Sequence, residues 1–268
     1  MRLSSIVAGG ALALLLSTPG LADDDLRTVI ADPDRPADQA ARDTSRNPYE
    51  TLTFFGLRPD MTVVEISPAG GWYTEILGPY LKDEGHLIAA HWDMDGDDVP
   101  DFYRRIRGEF EERVADTERF GDIEIIPFAP PEKVDLGEPG SADLVLTFRN
   151  VHSYKRAGTF GDVVDAAHAV LKPGGVLGVV SHRLPEDREQ DPEARSGYVQ
   201  QSWVVAMAES RGFRLEEAAE INANPRDTAD HPSGVWSLPP SLREGEESAE
   251  RFRAIGESDR FTLKFVKR

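Results

Sequence analysis

Short apolar runs rich in β-branched residues alternate along the chain with segments of helical periodicity. A strand is predicted at Thr62–Ile66, and after a Ser-Pro-Ala-Gly-Gly turn residues 72–81 repeat apolar side chains at helical spacing. The same alternation predicts further strands at 87–91, 123–126, 142–148 and 176–181, and helices at 102–115 and 160–171. Strands that are buried on both faces form continuous apolar runs, so the pattern indicates a parallel sheet with helices on both faces.

The C-terminal third departs from this alternation. A helix is predicted at 197–211 and a strand at 213–221, followed by a long polar segment, 222–258, and an alternating strand at 260–266. A strand that arrives through a loop, without a crossover helix, should be antiparallel to its neighbour. We therefore expect a Rossmann-like α/β fold with a mostly parallel seven-stranded sheet and an antiparallel last strand.

The N-terminal residues predict a leader and an arm ahead of this domain. Residues 1–22 have a positive start, a short apolar run and a small-residue site ending at Ala22, which is typical of a cleaved secretory signal peptide. Residues 23–60 are expected to form an arm with helices at 36–44 and 49–56, and 61–268 the main domain. The apolar run is too short for a membrane span, so we expect a periplasmic or secreted protein.

Composition narrows the functional classes. The chain has 48 acidic and 30 basic residues, a net charge of −18, and no cysteine. The missing cysteines exclude disulfides, thiolate metal sites and cysteine nucleophiles. The negative charge argues against nucleic acid and anionic membranes as partners and leaves a small molecule as the expected one. The oligomeric state is not predicted.

Several motifs resemble a known enzyme class. Glu65 ends the first strand, a small-residue turn follows, and residues 171–175 (Leu-Lys-Pro-Gly-Gly) precede the fifth strand. Together they resemble class I S-adenosylmethionine-dependent methyltransferases. The chain resembles more closely a secreted bacterial family named predicted methyltransferases. The residues that carry this resemblance are 42–43, 46–48, 67–74, 150–152, 182–183, 222–227 and 235–240. The resemblance implies the methyltransferase fold and S-adenosylmethionine as cofactor.

The turn after the first strand is the predicted cofactor contact. In this class it reads acid-x-Gly-x-Gly-x-Gly, because the backbone passes close to the methionyl part of the cofactor. The resemblance assigns the acid to the cofactor's ammonium group, and the alternative is a carboxylate that only caps the turn. The residues in this register are Glu65, Ser67, Ala69, Gly70 and Gly71.

The ends of the next strands differ from the class pattern. Where an acid usually accepts the ribose hydroxyls, this chain has His91, with Asp93 two residues later. Phe128 and Phe148 end the third and fourth strands and are expected to give apolar walls. The acidic loop 91–98 offers an alternative, a hard cation such as calcium, but its glycine falls two places too early for an EF-hand loop, and we predict no metal site.

The predicted reaction centre follows the fourth strand. His152 is the candidate base because histidine titrates near neutrality, while Asn150 could orient an acceptor and Tyr154 could close the pocket. The alternative is a loop histidine bonded to backbone. Substrate contacts are predicted at Arg149, His182, Arg183, Asn224, Asp227 and Trp236.

The last three of these residues belong to the 222–258 segment, which we expect to form a lid, together with Asn222 and His231. The alternative is a set of turns that covers a strand. The predicted function is S-adenosylmethionine-dependent methyl transfer to an unknown small molecule. The alternative function is a secreted, non-catalytic ligand-binding protein on a methyltransferase scaffold.

Overall fold

The computed structural model describes residues 19–96 and 98–268, with side chains from residue 25 onward. Most of the predicted signal peptide lies outside these residues, and its last four residues, 19–22, begin helix α1, Pro19–Ile30. The cleavage site after Ala22 therefore stays a prediction. Within the described part of the chain, no helix combines the length and the apolar character that a membrane span requires.

An eight-stranded mixed sheet forms the centre of the molecule. Its order is β3-β2-β1-β4-β5-β8-β7, and the two-residue β6 pairs with the end of β5. Only β8 runs antiparallel to its neighbours, β5 and β7. The strands are β1 (Thr62–Ile66), β2 (His86–Trp92), β3 (Glu124–Phe128), β4 (Ala142–Phe148), β5 (Leu171–Leu184), β6 (Val199–Gln200), β7 (Phe213–Ala219) and β8 (Arg260–Lys267).

Alternate residues of the central strands enter two separate hydrophobic cores. Val64 and Val145 pack on the face covered by the helix at 160–170, whereas Val63 and Leu144 pack on the face covered by the helices at 48–55 and 74–81. Neighbouring residues of a strand point to opposite faces, so an apolar run fills both cores at once. This arrangement confirms the predicted Rossmann-like α/β class, including the antiparallel last strand.

Helices surround the sheet on both faces. After α1 they are α2 (Ala37–Ala40), α3 (Asp43–Arg46), α4 (Pro48–Phe55), α5 (Thr74–Leu81), α6 (Asp101–Val114), α7 (Thr117–Phe120), α8 (Val151–Ala157), α9 (Phe160–Val170), α10 (Gln201–Glu209) and α11 (Glu246–Ile255). A 3-10 helix occupies Gly234–Ser237.

Several boundaries differ from the sequence prediction. The helix expected at 36–44 is two short helices, and the left-handed Asn47 ends the second of them before Pro48 starts α4. The loop expected after β4 is helix α8. The segment 222–258 contains α11 and the 3-10 helix. Neither was predicted, because the prolines of the segment favour turns and loops. Gly245 and Gly256, both at positive φ, flank α11 at its N- and C-terminal ends.

A close approach between two layers requires glycine at position 178 in β5. A Cβ there would lie 2.7 Å from Leu146 Cδ2 and 2.9 Å from Phe55. Both neighbours are fully buried side chains, so neither can move into solvent.

We expect Gly178→Ala to lower the free energy of unfolding by about 1–3 kcal/mol, because it overpacks the core between β5 and α4. Urea unfolding at pH 7 measures this. The control is Gly108→Ala in α6, where a Cβ meets nothing within 4 Å. This change should stabilise the protein by about 0.5–1 kcal/mol through helix propensity. Equal stability of wild type and Gly178→Ala would contradict the packing described here.

Candidate active site

The carboxyl ends of the parallel strands open onto two cavities of about 660 and 200 Å³. Ser67, in the turn between β1 and α5, lines both of them. In open α/β sheets this edge is where ligands bind. The larger cavity is lined by Trp92, Asp93, Tyr103, Phe128 and Tyr154, among others. The smaller one is lined by Glu65, Ala69, Trp72, Tyr73, Phe148, Arg149, Asn150, His152, His182 and Trp236, among others.

The turn between β1 and α5 has left-handed backbone at three positions. Ser67, Ala69 and Gly71 have φ of 51°, 53° and 76°. Each non-glycine residue in this conformation costs about 1–2 kcal/mol. Gly71 could not carry a side chain without contact, since a Cβ there would lie 3.0 Å from the Phe110 ring. The turn keeps the shape that glycines would give it, and its strain must be offset by neighbouring contacts.

Two of the predicted catalytic residues supply such contacts. The Asn150 amide donates to the carbonyl oxygens of Ile66 and Ser67, each at 3.1 Å. The hydroxyls of Ser67 and Tyr154 are 2.6 Å apart. Burial raises the pKa of Tyr154, so its phenol stays protonated. Both side chains line cavities while they hold the turn, and their catalytic roles stay predictions.

His91 lies beneath the same turn and is fully buried. Its Nε2 is 3.0 Å from the carbonyl oxygen of Ala69, and its Nδ1 accepts a hydrogen bond of 2.8 Å from the Trp92 amide. These partners require the Nε2–H tautomer. Burial lowers the pKa of His91 to about 4, so the ring is neutral at pH 7. With both nitrogens engaged, His91 has no atom free for a ribose hydroxyl.

Glu65 presents a buried carboxylate to the smaller cavity. Thr74 donates a hydrogen bond of 2.7 Å to Oε2. Burial outweighs that hydrogen bond and raises the pKa of Glu65 to about 7. No salt bridge to Glu65 occurs among the described residues. An acid with a pKa of about 7 is partly protonated at pH 7, and a cation that reaches it would favour the ionised form.

Asp93 is one of three aspartates that line the larger cavity, together with Asp95 and Asp98. Its carboxylate is 2.7 Å from Lys133 Nζ, which also lies 2.7 Å from Asp95. The hydrogen bond from Lys133 lowers the pKa of Asp93, so it is ionised. Phe128 forms a buried wall of the same cavity and contacts Tyr154 edge-on, with ring centroids 6.3 Å apart. Among residues 19–96 and 98–268, no three potential metal ligands cluster.

His152 and His182 face each other in the smaller cavity, with ring centroids 5.6 Å apart, and Trp236 lies at the same distance from His152. His182 Nδ1 is 2.5 Å from the Ser258 hydroxyl. His152 Nδ1 has no hydrogen-bond partner in the described part of the protein. Burial, followed by Arg156 and Arg149, lowers the pKa of His152 to about 4. His152 is therefore a neutral imidazole with an unused nitrogen.

The two predicted substrate arginines lie in different surroundings. Arg149 lines the smaller cavity and has a left-handed backbone, with φ of 62°. Arg183 lines neither cavity. It is paired with Asp259 at 2.8 Å and with Glu220 at 2.6 Å, and these hydrogen bonds raise its pKa.

The 222–258 segment lines the smaller cavity with Trp236. Its other two predicted substrate contacts, Asn224 and Asp227, instead make hydrogen bonds that hold the segment in place. Asn224 donates to the carbonyl oxygens of Ile255 and Glu257. Asp227 accepts hydrogen bonds from Tyr198 and the backbone amide of Asp259, and lies 2.8 Å from His231 Nε2. Asn222 similarly donates to Thr51 and Thr262. Neither Asn224 nor Asp227 lines either of the two cavities.

Sequence reasoning missed two features of the smaller cavity. Tyr73 stacks on Phe148, with ring centroids 3.5 Å apart. Glu257, from the predicted lid, pairs with Arg42 and Arg46 from the N-terminal arm. The spacing of the two arginines, four residues apart, was the available signal, but only the fold shows their partner.

Solved structures with the same fold include enzymes of more than one chemistry. A SAM-dependent methyltransferase from Aquifex aeolicus is 14% identical with a TM-score of 0.57, covering 92% of this chain and 98% of that one. Geranyl diphosphate C-methyltransferase from Streptomyces coelicolor is 9% identical with a TM-score of 0.57, covering 90% and 89%. The [4+2]-cyclase SpnF is 12% identical with a TM-score of 0.55, covering 92% and 94%.

These neighbours establish the fold of class I methyltransferases for this chain. The sequence matches no protein-family model and no curated protein.

We expect His91→Phe to destabilise the protein by about 1–3 kcal/mol at pH 7, because it leaves the Ala69 carbonyl and the Trp92 amide without partners. Urea unfolding is the measurement. His86→Phe, at the exposed start of the same strand, is the control and should change stability by less than about 0.5 kcal/mol. Equal losses for the two variants would show that His91 does not support the turn.

Proposed function

We propose that the protein is an S-adenosylmethionine-dependent methyltransferase that acts on a small molecule. The observation that carries the proposal is Glu65, a buried acid beside a left-handed turn. A pKa of about 7 and a single side-chain hydrogen bond, from Thr74, leave this carboxyl group short of a positive partner. The ammonium of a methionyl group would supply that partner.

The remaining residues of the two cavities fit the same cofactor. The larger cavity combines aromatic and proline walls, from Trp92, Tyr103, Phe128 and Pro130, with the ionised Asp93. Flat apolar walls suit a purine ring, and a carboxylate suits a ribose diol. Asp93 would hold the ribose in place of His91, whose nitrogens are engaged. Ser67 lines both cavities, and the proposal requires the cofactor to extend past Ser67 from one cavity into the other.

S-adenosylmethionine supplies an activated methyl group on sulfur. The chain's own residues would align the acceptor, since an in-line displacement gains most from alignment. His152 is placed to accept a proton from an acceptor on its unpartnered Nδ1. Its low pKa means that it is already in the neutral form at pH 7. Trp236 covers the same cavity and helps to exclude water.

The cellular location is a separate proposal. The positive start, the apolar run and the small-residue site of residues 1–22 support export to the periplasm or the exterior. The resemblance to the secreted family supports the same location.

A non-catalytic binding protein on this scaffold is the second candidate. Two observations favour it: both ring nitrogens of His91 are engaged, and Asp93 already pairs with Lys133. Export would also separate the protein from a cofactor that is made in the cytosol. Isothermal titration with S-adenosylmethionine and S-adenosylhomocysteine separates the candidates, and no heat at millimolar ligand would favour the second one.

Glu65→Gln should weaken S-adenosylmethionine binding by at least about tenfold, since it removes the charge that pairs with the ammonium while keeping the bond to Thr74. Glu124→Gln, on the exposed start of β3, is the matched control and should bind as the wild type does. Equal affinity of Glu65→Gln and wild type would place the cofactor elsewhere.

The same variant should be more stable than the wild type at alkaline pH. The folded-state pKa of Glu65, about 7, lies above the unfolded value of 4.5. The unfolded chain therefore loses its proton first, and wild-type stability falls as pH rises from 4.5 to beyond 7. Glu65→Gln should show a stability advantage at pH 8 of about 3 kcal/mol that disappears below pH 4.5. Urea unfolding across this pH range tests it, and a pH-independent difference would contradict the shift.

A further inference from the structure

Four arginines converge beside the smaller cavity around one carboxylate. Glu257 accepts hydrogen bonds from Arg42 at 2.7 Å, Arg46 at 3.4 Å and Arg260 at 3.1 Å. Burial alone would raise the pKa of Glu257, but Arg46, Arg260 and Arg42 together lower it to about 2. The guanidinium of the fourth arginine, Arg149, has no hydrogen bond to any described residue. The group therefore has a surplus of positive charge.

Several guanidinium nitrogens in this group lack partners. Arg46 is only 1% exposed and lies over the Trp72 ring, with Cζ 4.5 Å from the ring centroid. Both of its terminal nitrogens are buried without a hydrogen bond, as are Arg42 Nη2 and Arg260 Nε. Buried donors of this kind are costly to leave unpaired, and here they accompany uncompensated charge. An anion near the group would compensate its surplus of positive charge.

Of the four arginines, Arg149 is the one that lines the cavity. Trp72, Tyr73 and His152 line the same cavity. Burial and the neighbouring Arg42 and Arg260 lower the pKa of Arg149 to about 10, although Glu257 opposes them. Loss of hydration is thus the main reason why the charge of Arg149 is disfavoured, and a negative ligand beside the guanidinium would favour its charged form.

We propose that the smaller cavity binds an oxyanion, a carboxylate or phosphate carried by the methyl acceptor, on Arg149, and that the charges of Arg46 and Arg42 add to the attraction. The identification of the ligand as the acceptor rests on the proposed function. It extends that function by naming the chemical class of the substrate: an acidic small molecule with its oxyanion beside His152.

The cofactor's own carboxylate is the other source of an oxyanion, and the charge distribution disfavours it. In an α-amino acid the carboxylate and the ammonium share one carbon, so an arginine that holds the carboxylate must lie close to Glu65. Arg149 instead acts on His152 and His182, lowering the pKa of both after burial, whereas no arginine contributes to the pKa of Glu65.

The test measures binding of sodium phosphate and sodium acetate to the full chain by titration calorimetry and thermal unfolding, with sodium chloride at equal ionic strength as reference. We expect phosphate or acetate, but not chloride, to bind and to raise Tm. The better ligand of the two identifies the acceptor's anionic group. In Arg149→Gln the dissociation constant should rise by about tenfold or more. Arg149→Lys keeps the positive charge but not the paired N–H donors of the guanidinium, so it should lose less affinity for the anion than Arg149→Gln does.

Arg58→Gln, an exposed arginine paired with Asp60, is the matched control and should bind as the wild type does. Without ligand, Arg149→Gln should be at least as stable as the wild type, since it removes a buried charge that has no hydrogen-bond partner among the described residues. The binding should persist with saturating S-adenosylhomocysteine. Absence of an anion response, an unchanged response in Arg149→Gln, or loss of the response with S-adenosylhomocysteine would each overturn the inference.

These outcomes are distinguishable from failure of the proposed function. Normal S-adenosylhomocysteine binding without an anion response contradicts the inference alone. An Arg149-dependent anion response without any binding of S-adenosylmethionine or S-adenosylhomocysteine contradicts the methyltransferase and its acceptor, and leaves an anion site on a binding protein.

Discussion

The backbone between β1 and α5 must adopt a left-handed conformation three times within five residues, and the arrangement of the site depends on how that is achieved. Only one of the three positions, Gly71, is glycine. Ser67 and Ala69 adopt the conformation at a cost that other contacts offset. Those contacts come from the carboxyl ends of two strands: His91 near the end of β2, and Asn150 and Tyr154 after β4. The turn is held as a rigid unit, although two of the glycines usual in the class are missing.

This support changes the assignment of the polar residues in the cavities. His91, Asn150 and Tyr154 are expected from sequence to contact ligand, and each is hydrogen-bonded to the turn. Asn150 and Tyr154 also line the cavities, so their predicted ligand contacts stay predictions. The polar groups that remain uncommitted are the Glu65 carboxyl, His152 Nδ1 and the Arg149 guanidinium. They differ in charge: an acid that lacks a cation, a neutral base, and a cation that lacks an anion. Together they would suit a ligand pair whose cationic part meets Glu65 and whose anionic part meets Arg149.

Sequence pattern predicted the strands and the fold class well, because burial on both faces of a parallel sheet leaves a direct apolar signal. The predicted first strand has the same first and last residues as β1 in the structure, and the last strand, β8, is antiparallel as predicted. The site was predicted less completely. Residue type and position along a strand indicate that His91 lies at the carboxyl edge, but only tertiary contacts show that its nitrogens are engaged. The same limit applies to Asn224 and Asp227, whose partners are distant in sequence.

The acidic composition of the chain does not describe the charge near the smaller cavity. With 48 acidic residues against 30 basic ones, the sequence suggests an acidic protein surface, yet four arginines lie in or beside the smaller cavity, against two carboxyl groups, Glu65 and Glu257. Surface charges act through water and are screened by salt over about 8–10 Å. The buried guanidinium groups are screened far less, so they set the local field. A protein with net charge −18 can therefore contain a cavity that attracts anions. Net charge excludes partners that must cover a large surface, but it does not decide what a buried cavity binds.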